Sequence, residues 1–220
     1  MKARQAIEHD IVQLQQRLLR ARQTAAGHAG VESALRAVRS CNHIALRQRF
    51  ADLLKHRDVK PAGDFFFHQL YPVDWPYWRD RQCLATFPRM CRVMPLSACE
   101  VLLKAVELDW LTHEIDERAA QGTHEGGVDQ ARLHQLRCRQ RDAVVALGRG
   151  LASVARLPMM TLLLRCAGPV ARRQGLGELH AFFTAGLSAF LAMPDPHAVL
   201  DELASVVITP SNAQAVGGEL

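Results

Sequence analysis

Apolar residues recur at intervals of three and four along almost the whole chain, and proline or glycine interrupts each stretch before it grows long. That spacing is one face of an α-helix, repeated many times over. No alternating β-branched run and no Asn-Gly hairpin competes with it. Such a chain buries its apolar stripes by packing helix on helix, so the expected fold is an all-α, single-domain bundle of about seven or eight helices.

Segment 2–24 sets the pattern: Ile7, Ile11, Leu14 and Leu18 form a seam, and Arg4, Arg17, Arg20 and Arg22 are expected to face water. After a break at 25–30, segment 31–57 carries Leu35, Val38, Leu46, Phe50, Leu53 and Leu54. Together they predict an antiparallel, basic hairpin over 2–57. Pro61-Ala-Gly63 should end that unit, and Asp64 suits the N-cap of a short helix over 65–70 that Pro72 stops. An aromatic turn follows, Val73-Asp-Trp75-Pro76-Tyr77-Trp78, and Pro88 is expected to kink or split the next helix. Pro95 opens a central helix to residue 120, with Val101, Leu102, Ala105, Leu108 and Ile115 inward and a loop at Gly122, Gly126 and Gly127 beyond. Further helices are expected over 129–156, 159–167 (ending at Gly168-Pro169), 178–192 (after a hinge at Gly175-Leu-Gly177) and 197–207. The first of these, 129–156, should bury Leu133, Leu136, Val144, Leu147, Leu151 and Val154. The expected domain is 1–209, with a flexible tail over 210–220.

A hydrophobic fraction of 49 % against 22 % charged suits a chain with a real core. No stretch approaches the roughly 18 apolar residues of a membrane span, and residues 1–10 lack the apolar run of a secretory signal. The expected location is cytoplasmic. Cys41, Cys83, Cys91, Cys99, Cys138 and Cys166 include no Cys-x-x-Cys pair. The eight-residue repeat of Cys83, Cys91 and Cys99 would drift about 80° per step around a helix, so these read as reduced, small hydrophobes rather than a metal set. The formal charge of +5 is concentrated early: residues 1–60 hold 12 Lys/Arg and 5 Asp/Glu. A basic first third could meet nucleic acid, but its arginines are scattered around helices as on a solvated face.

The octet Asp64-Phe-Phe-Phe-His-Gln-Leu-Tyr71 resembles the motif of the uncharacterised proteobacterial "FFLEELY motif" proteins. The likeness extends, in order, through Arg79-Asp80, Met94-Pro95, Val106-Glu-Leu-Asp109, Glu114-Ile-Asp116, Leu157-Pro-Met-Met160 and Gly175-Leu-Gly-Glu-Leu-His-Ala-Phe-Phe183, to Gly186, Phe190 and Met193. It covers residues 60–205 and implies a helical domain without an assigned activity. Phe67-His68-Gln69 stands where the family has Leu-Glu-Glu, which removes both carboxylates at that turn, and His180 stands in place of a Gln.

The candidate binding residues are Phe65, Phe66, Tyr71, Trp75, Trp78, Arg79 and Asp80. On a regular helix Phe66 and Leu70, and Phe67 and Tyr71, fall on adjacent apolar stripes, which could wall a pocket, anchor a partner or simply wedge into the core. Arg79-Asp80-Arg81 could hold an anion or pair internally. Glu107, Asp109, His113, Glu114 and Asp116 line the central helix, but the paired Glu-x-x-His elements of a di-iron bundle are missing. No Gly-x-Ser-x-Gly elbow, P-loop or dinucleotide fingerprint occurs, and Gly175-Leu-Gly177 lacks the third glycine. The sequence therefore predicts no catalytic residue, no metal and no cofactor. Its leading function is a non-enzymatic interaction or regulatory protein with a protein partner; a ligand pocket or enzyme near Tyr71, Arg79 and Asp80, and nucleic-acid binding, are the alternatives.

Overall fold

The computed structural model describes residues 2–121 and 129–205, apart from the side chains of 158–161 and 163. Among the described residues there are ten α-helices and one π-turn, and no strand. The helix count exceeds the expected seven or eight because the segment expected as one helix over 31–57 divides at Phe50, and a further short helix over 60–65 leads into the motif. They are α1 (Lys2–Ala26), α2 (Ala29–Arg49), α3 (Ala51–Lys55), α4 (Lys60–Phe65), the π-turn Phe66–Leu70, α5 (Tyr77–Val93), α6 (Leu96–Gln121), α7 (Gln130–Ala155), α8 (Pro158–Arg173), α9 (Gly177–Leu191) and α10 (Pro196–Ser205).

Helix α6 is the axis of the bundle, packed against α1, α2 and α7, while α1 also lies along α5. Ile11, Cys91, Cys99, Leu102, Val106 and Leu179 form the centre of the main core. Ala25 and Leu35 meet Ala120 where the first two helices connect, and Ile115 packs with Leu133 and Leu136. Val101, Leu102 and Ile115 are buried as their spacing predicts, with Ala105 and Leu108 half-buried. Leu133, Leu136 and Val154 are likewise buried, with Val144, Leu147 and Leu151 half-buried. Asp129 caps α7, its side chain accepting from the Arg132 amide at 2.9 Å. The loop glycines 122, 126 and 127, and the tail from 210, lie outside the described residues.

Proline positions account for most departures from expectation. Pro61 sits in the first turn of α4 and starts that helix rather than ending the hairpin, because its missing N–H is no loss there. Asp64 is then interior to the helix and pairs with Lys60 at 2.6 Å instead of capping. Pro88 does not split α5, which runs continuously through it. Buried Phe87 and Cys91 on either side fix the helix against the core. Pro169 is likewise inside α8; it is exposed, so the carbonyl it leaves unpaired can meet water. Gly175, at φ 71°, makes the tight turn into α9.

Candidate functional site

The motif begins on α4 and leaves it through a π-turn, closed by the Tyr71 amide donating to the Phe66 carbonyl at 2.8 Å. This winding offsets the two stripes expected of a regular helix. Phe67 is buried under the Arg47 guanidinium, 4.2 Å from its ring centre. Phe66 stands edge-on to Phe67, half-buried. Phe65 turns to the opposite side, against Phe182 of α9 at 5.3 Å. The carbonyls at the end of the π-turn are taken up by side chains: Arg79 donates to those of Gln69 and Leu70, and His43 Nε2 donates to that of Tyr71 at 2.5 Å.

Beyond the turn the polar residues assemble into a buried cluster. Arg22 Nη1 donates to Asp80 Oδ1 at 2.9 Å, and Arg22 Nη2 to Asp109 Oδ1 at 2.6 Å. Trp75 Nε1 donates to the other Asp80 oxygen at 2.9 Å. The Trp75 ring lies 3.5 Å from the Arg22 guanidinium, 4.6 Å from that of Arg79 and 5.5 Å from that of Arg39. One indole therefore faces three cations in a desolvated setting, where cation–π attraction is strongest.

A second half adjoins it. The Tyr71 hydroxyl donates to Asp116 at 2.9 Å and accepts from Asn42 at 2.9 Å. Arg39 Nε lies 3.5 Å from Asp116 Oδ2, and Arg39 Nη1 donates to the Val73 carbonyl at 3.2 Å. Arg137 of α7 is buried beside Tyr71 and Asp116. The cluster thus stitches α1, α2, the motif turn, α5, α6 and α7 together.

Burial governs its protonation. It pushes the Asp116 carboxyl up to about 6, against the pull of Tyr71, Arg39 and Arg137. It also raises Tyr71 well above the usual phenol range, with Asp116 adding to the rise. Burial lifts Asp80 as well, opposed by Arg22. Burial opposes the charge on Arg22, but Asp109 and Asp80 outweigh it and raise its pKa. His113, 2 % exposed, is pushed down to about 4 by burial, then by Arg22 and Arg39. Its Nε2 lies 3.5 Å from Glu117 Oε1, but neither ring nitrogen makes a hydrogen bond among the described residues.

Tyr71, Trp75, Arg79 and Asp80 are therefore brought together, facing inward. Phe66 borders the cluster, its ring 6.0 Å from that of Tyr71; Phe65 turns away from it against Phe182, and Trp78 stands outside it, exposed. The reading of the first helix needs correction: Arg22 is 3 % exposed rather than facing water. Arg4 also turns inward, half-buried, and donates to the carbonyls of Cys91 and Met94. Arg39, Asn42, His43 and Arg137 were not singled out from sequence. The available signal was position: Gln15 and Arg22 fall on the same seam as Ile11 and Leu18, and Arg39 is four residues after buried Leu35.

A separate open groove of about 410 Å³ lies between the motif and α9, lined by Pro61, Asp64, Phe65, His68, Ala185 and Ser188 among others; Tyr71, Arg79 and Asp80 do not border it. Among the described residues no group of three or more His, Cys, Asp and Glu side chains is placed to hold a metal ion. All six cysteines are free; Cys83, Cys91 and Cys99 are buried, and the Cys99 thiol donates to the Cys91 carbonyl at 3.4 Å.

Two substitutions probe this arrangement. Tyr71→Phe keeps the ring and removes the hydroxyl, leaving Asp116 and Asn42 short of a partner; a loss of about 1–3 kcal/mol is expected in urea unfolding. A Cβ on Gly186 would stand 2.7 Å from the Phe65 ring. Gly186→Ala should therefore displace Phe65 and lower stability by about 1–3 kcal/mol, read by the same titration.

Among the described residues, no helix is long and apolar enough to cross a membrane. No curated protein and no solved structure shows significant similarity to the chain. Residues 20–206, which include every member of the buried cluster, match the family described as Domain of unknown function (DUF8198), and the chain belongs to that family.

Proposed function

We propose that this chain is a non-enzymatic interaction module, a helical scaffold that offers its surface to a protein partner. The observation behind this reading is that the polar groups at the motif are taken up by one another. Both Asp80 oxygens, both Asp116 oxygens and the Tyr71 hydroxyl have protein partners, and the three residues are at most 8 % exposed. Groups so placed hold helices together; a substrate would have to break them apart to use them. At the same turn Leu70 and Trp78, 43 % and 36 % exposed, present apolar surface outward.

The alternative of a pocket or enzyme built on Tyr71, Arg79 and Asp80 has less support, since the groove beside the motif is walled by other residues. Nucleic-acid binding by the basic first third also loses ground. Arg4, Arg22 and Arg39 turn inward, while Arg36, Lys55 and Lys60 are paired with Asp74, Asp52 and Asp64. Six cysteines without a disulfide fit a reducing compartment, and with the FFLEELY-motif likeness they support a bacterial cytoplasmic protein.

Native mass spectrometry of the full chain, purified without added ligand, tests this. The bare chain mass, alone or as an integer multiple, is expected. A retained small molecule or metal at stoichiometric occupancy would overturn the reading in favour of a pocket.

A further inference from the structure

Helix α8 packs mainly on α9, with a smaller contact to α7. Gly168 is buried there beneath His180, whose Nε2 donates to the Leu164 carbonyl at 2.7 Å. On the far side Leu162, Cys166 and Val170 follow one another at steps of four, all exposed, with Leu162 at 60 % and Val170 at 54 %. A row at that spacing is the ridge by which one helix packs into the groove of another. Its surroundings carry a single sign. From residue 143 to 177 the chain has five arginines and no Asp or Glu. Arg149 is paired with Asp201, but exposed Arg156, Arg165, Arg172 and Arg173 have no ion-pair partner among the described residues.

We infer that the outer face of α8 docks an acidic amphipathic helix of a partner protein, whose apolar stripe meets Leu162, Cys166 and Val170 and whose carboxylates meet Arg165 and Arg173; Arg172 lies on the other side, beside Gly168. This rests on the interaction-module reading and names its surface. A second copy of the chain is a poor occupant, because α8 against α8 sets arginine beside arginine. A lipid surface is poorer still, since the exposed ridge holds no aromatic residue to seat in the headgroup layer.

The test uses the full chain and a fluorescent amphipathic helical peptide with leucines at steps of three and four and glutamates flanking them. Saturable binding by anisotropy is expected, weakened at least tenfold by R165E/R173E. A lysine-flanked version of the peptide should bind the native chain poorly and the reversed variant better. These positions are exposed, so circular dichroism should be unchanged. Absence of binding, or indifference to the reversal, overturns the docking proposal while leaving the native mass result, and the broader reading, intact. Binding to phosphatidylserine vesicles that R165E/R173E abolishes would overturn it in favour of a membrane. A sedimenting dimer lost in the same variant would overturn it in favour of a second copy.

Discussion

Asp80→Ala is expected to lower folding stability by about 3–5 kcal/mol, the range for removing one partner of a buried ion pair. The carboxylate holds Arg22 at 2.9 Å and the Trp75 indole N–H at 2.9 Å, and its charge lies close to Arg79. Without it two buried guanidiniums share Asp109, whose side chain is 28 % exposed and solvated accordingly. Asp80→Asn should fall between, because an amide oxygen still accepts one hydrogen bond but balances no charge. Adding Arg22→Met to Asp80→Ala should recover part of the loss, since the stranded cation goes with it, so a double-mutant cycle should show strong positive coupling. Urea unfolding of the four proteins reads all of this. A cost below about 1 kcal/mol for Asp80→Ala would mean the cluster is not a structural clasp, and would return the site to the pocket reading.

How much of this was legible from sequence differs by residue. The helices follow from apolar spacing, and Asp129 and Pro95 mark real helix starts. The constellation Tyr71, Trp75, Arg79 and Asp80 could be named because its members are close in sequence and chemically distinctive. Their partners could not, because Arg22 is 58 positions from Asp80 and Asn42 is 74 from Asp116. An arginine on an apolar seam is as consistent with a snorkelling surface residue as with an internal ion pair; only the approach of α5 and α6 decides it. The π-turn was also hidden, since one extra residue per turn leaves no distinct composition. Pro88 and Pro169 misled for the converse reason: local propensity opposes a helix there, and tertiary packing or solvent access overrides it.

The pH dependence of stability should separate two buried groups that mask each other in the native protein. His113 titrates near 4 when folded against 6.5 in its ordinary state. Between those values the unfolded chain binds the proton and the folded chain does not, so stability falls as the pH drops through this window. Asp116 titrates near 6 when folded against 3.8 ordinarily. There the folded chain holds the extra proton, so stability rises as the pH drops. Each slope is about 1.4 kcal/mol per pH unit for one proton, and between roughly pH 4 and 6 the two oppose. His113→Leu should expose the Asp116 slope, with stability increasing toward acid. It should cost little at pH 7, because neither ring nitrogen has a hydrogen-bond partner among the described residues and leucine avoids that desolvation. Asp116→Asn should expose the His113 slope, with stability falling toward acid from a lower starting level, because Arg39 and Arg137 lose their counter-charge. The stabilities of the two variants should therefore diverge by roughly 5 kcal/mol across two pH units, measured by urea unfolding at fixed ionic strength. Parallel profiles would show that neither group changes its protonation on folding, and that the Asp116 carboxylate stays fully charged between its arginines.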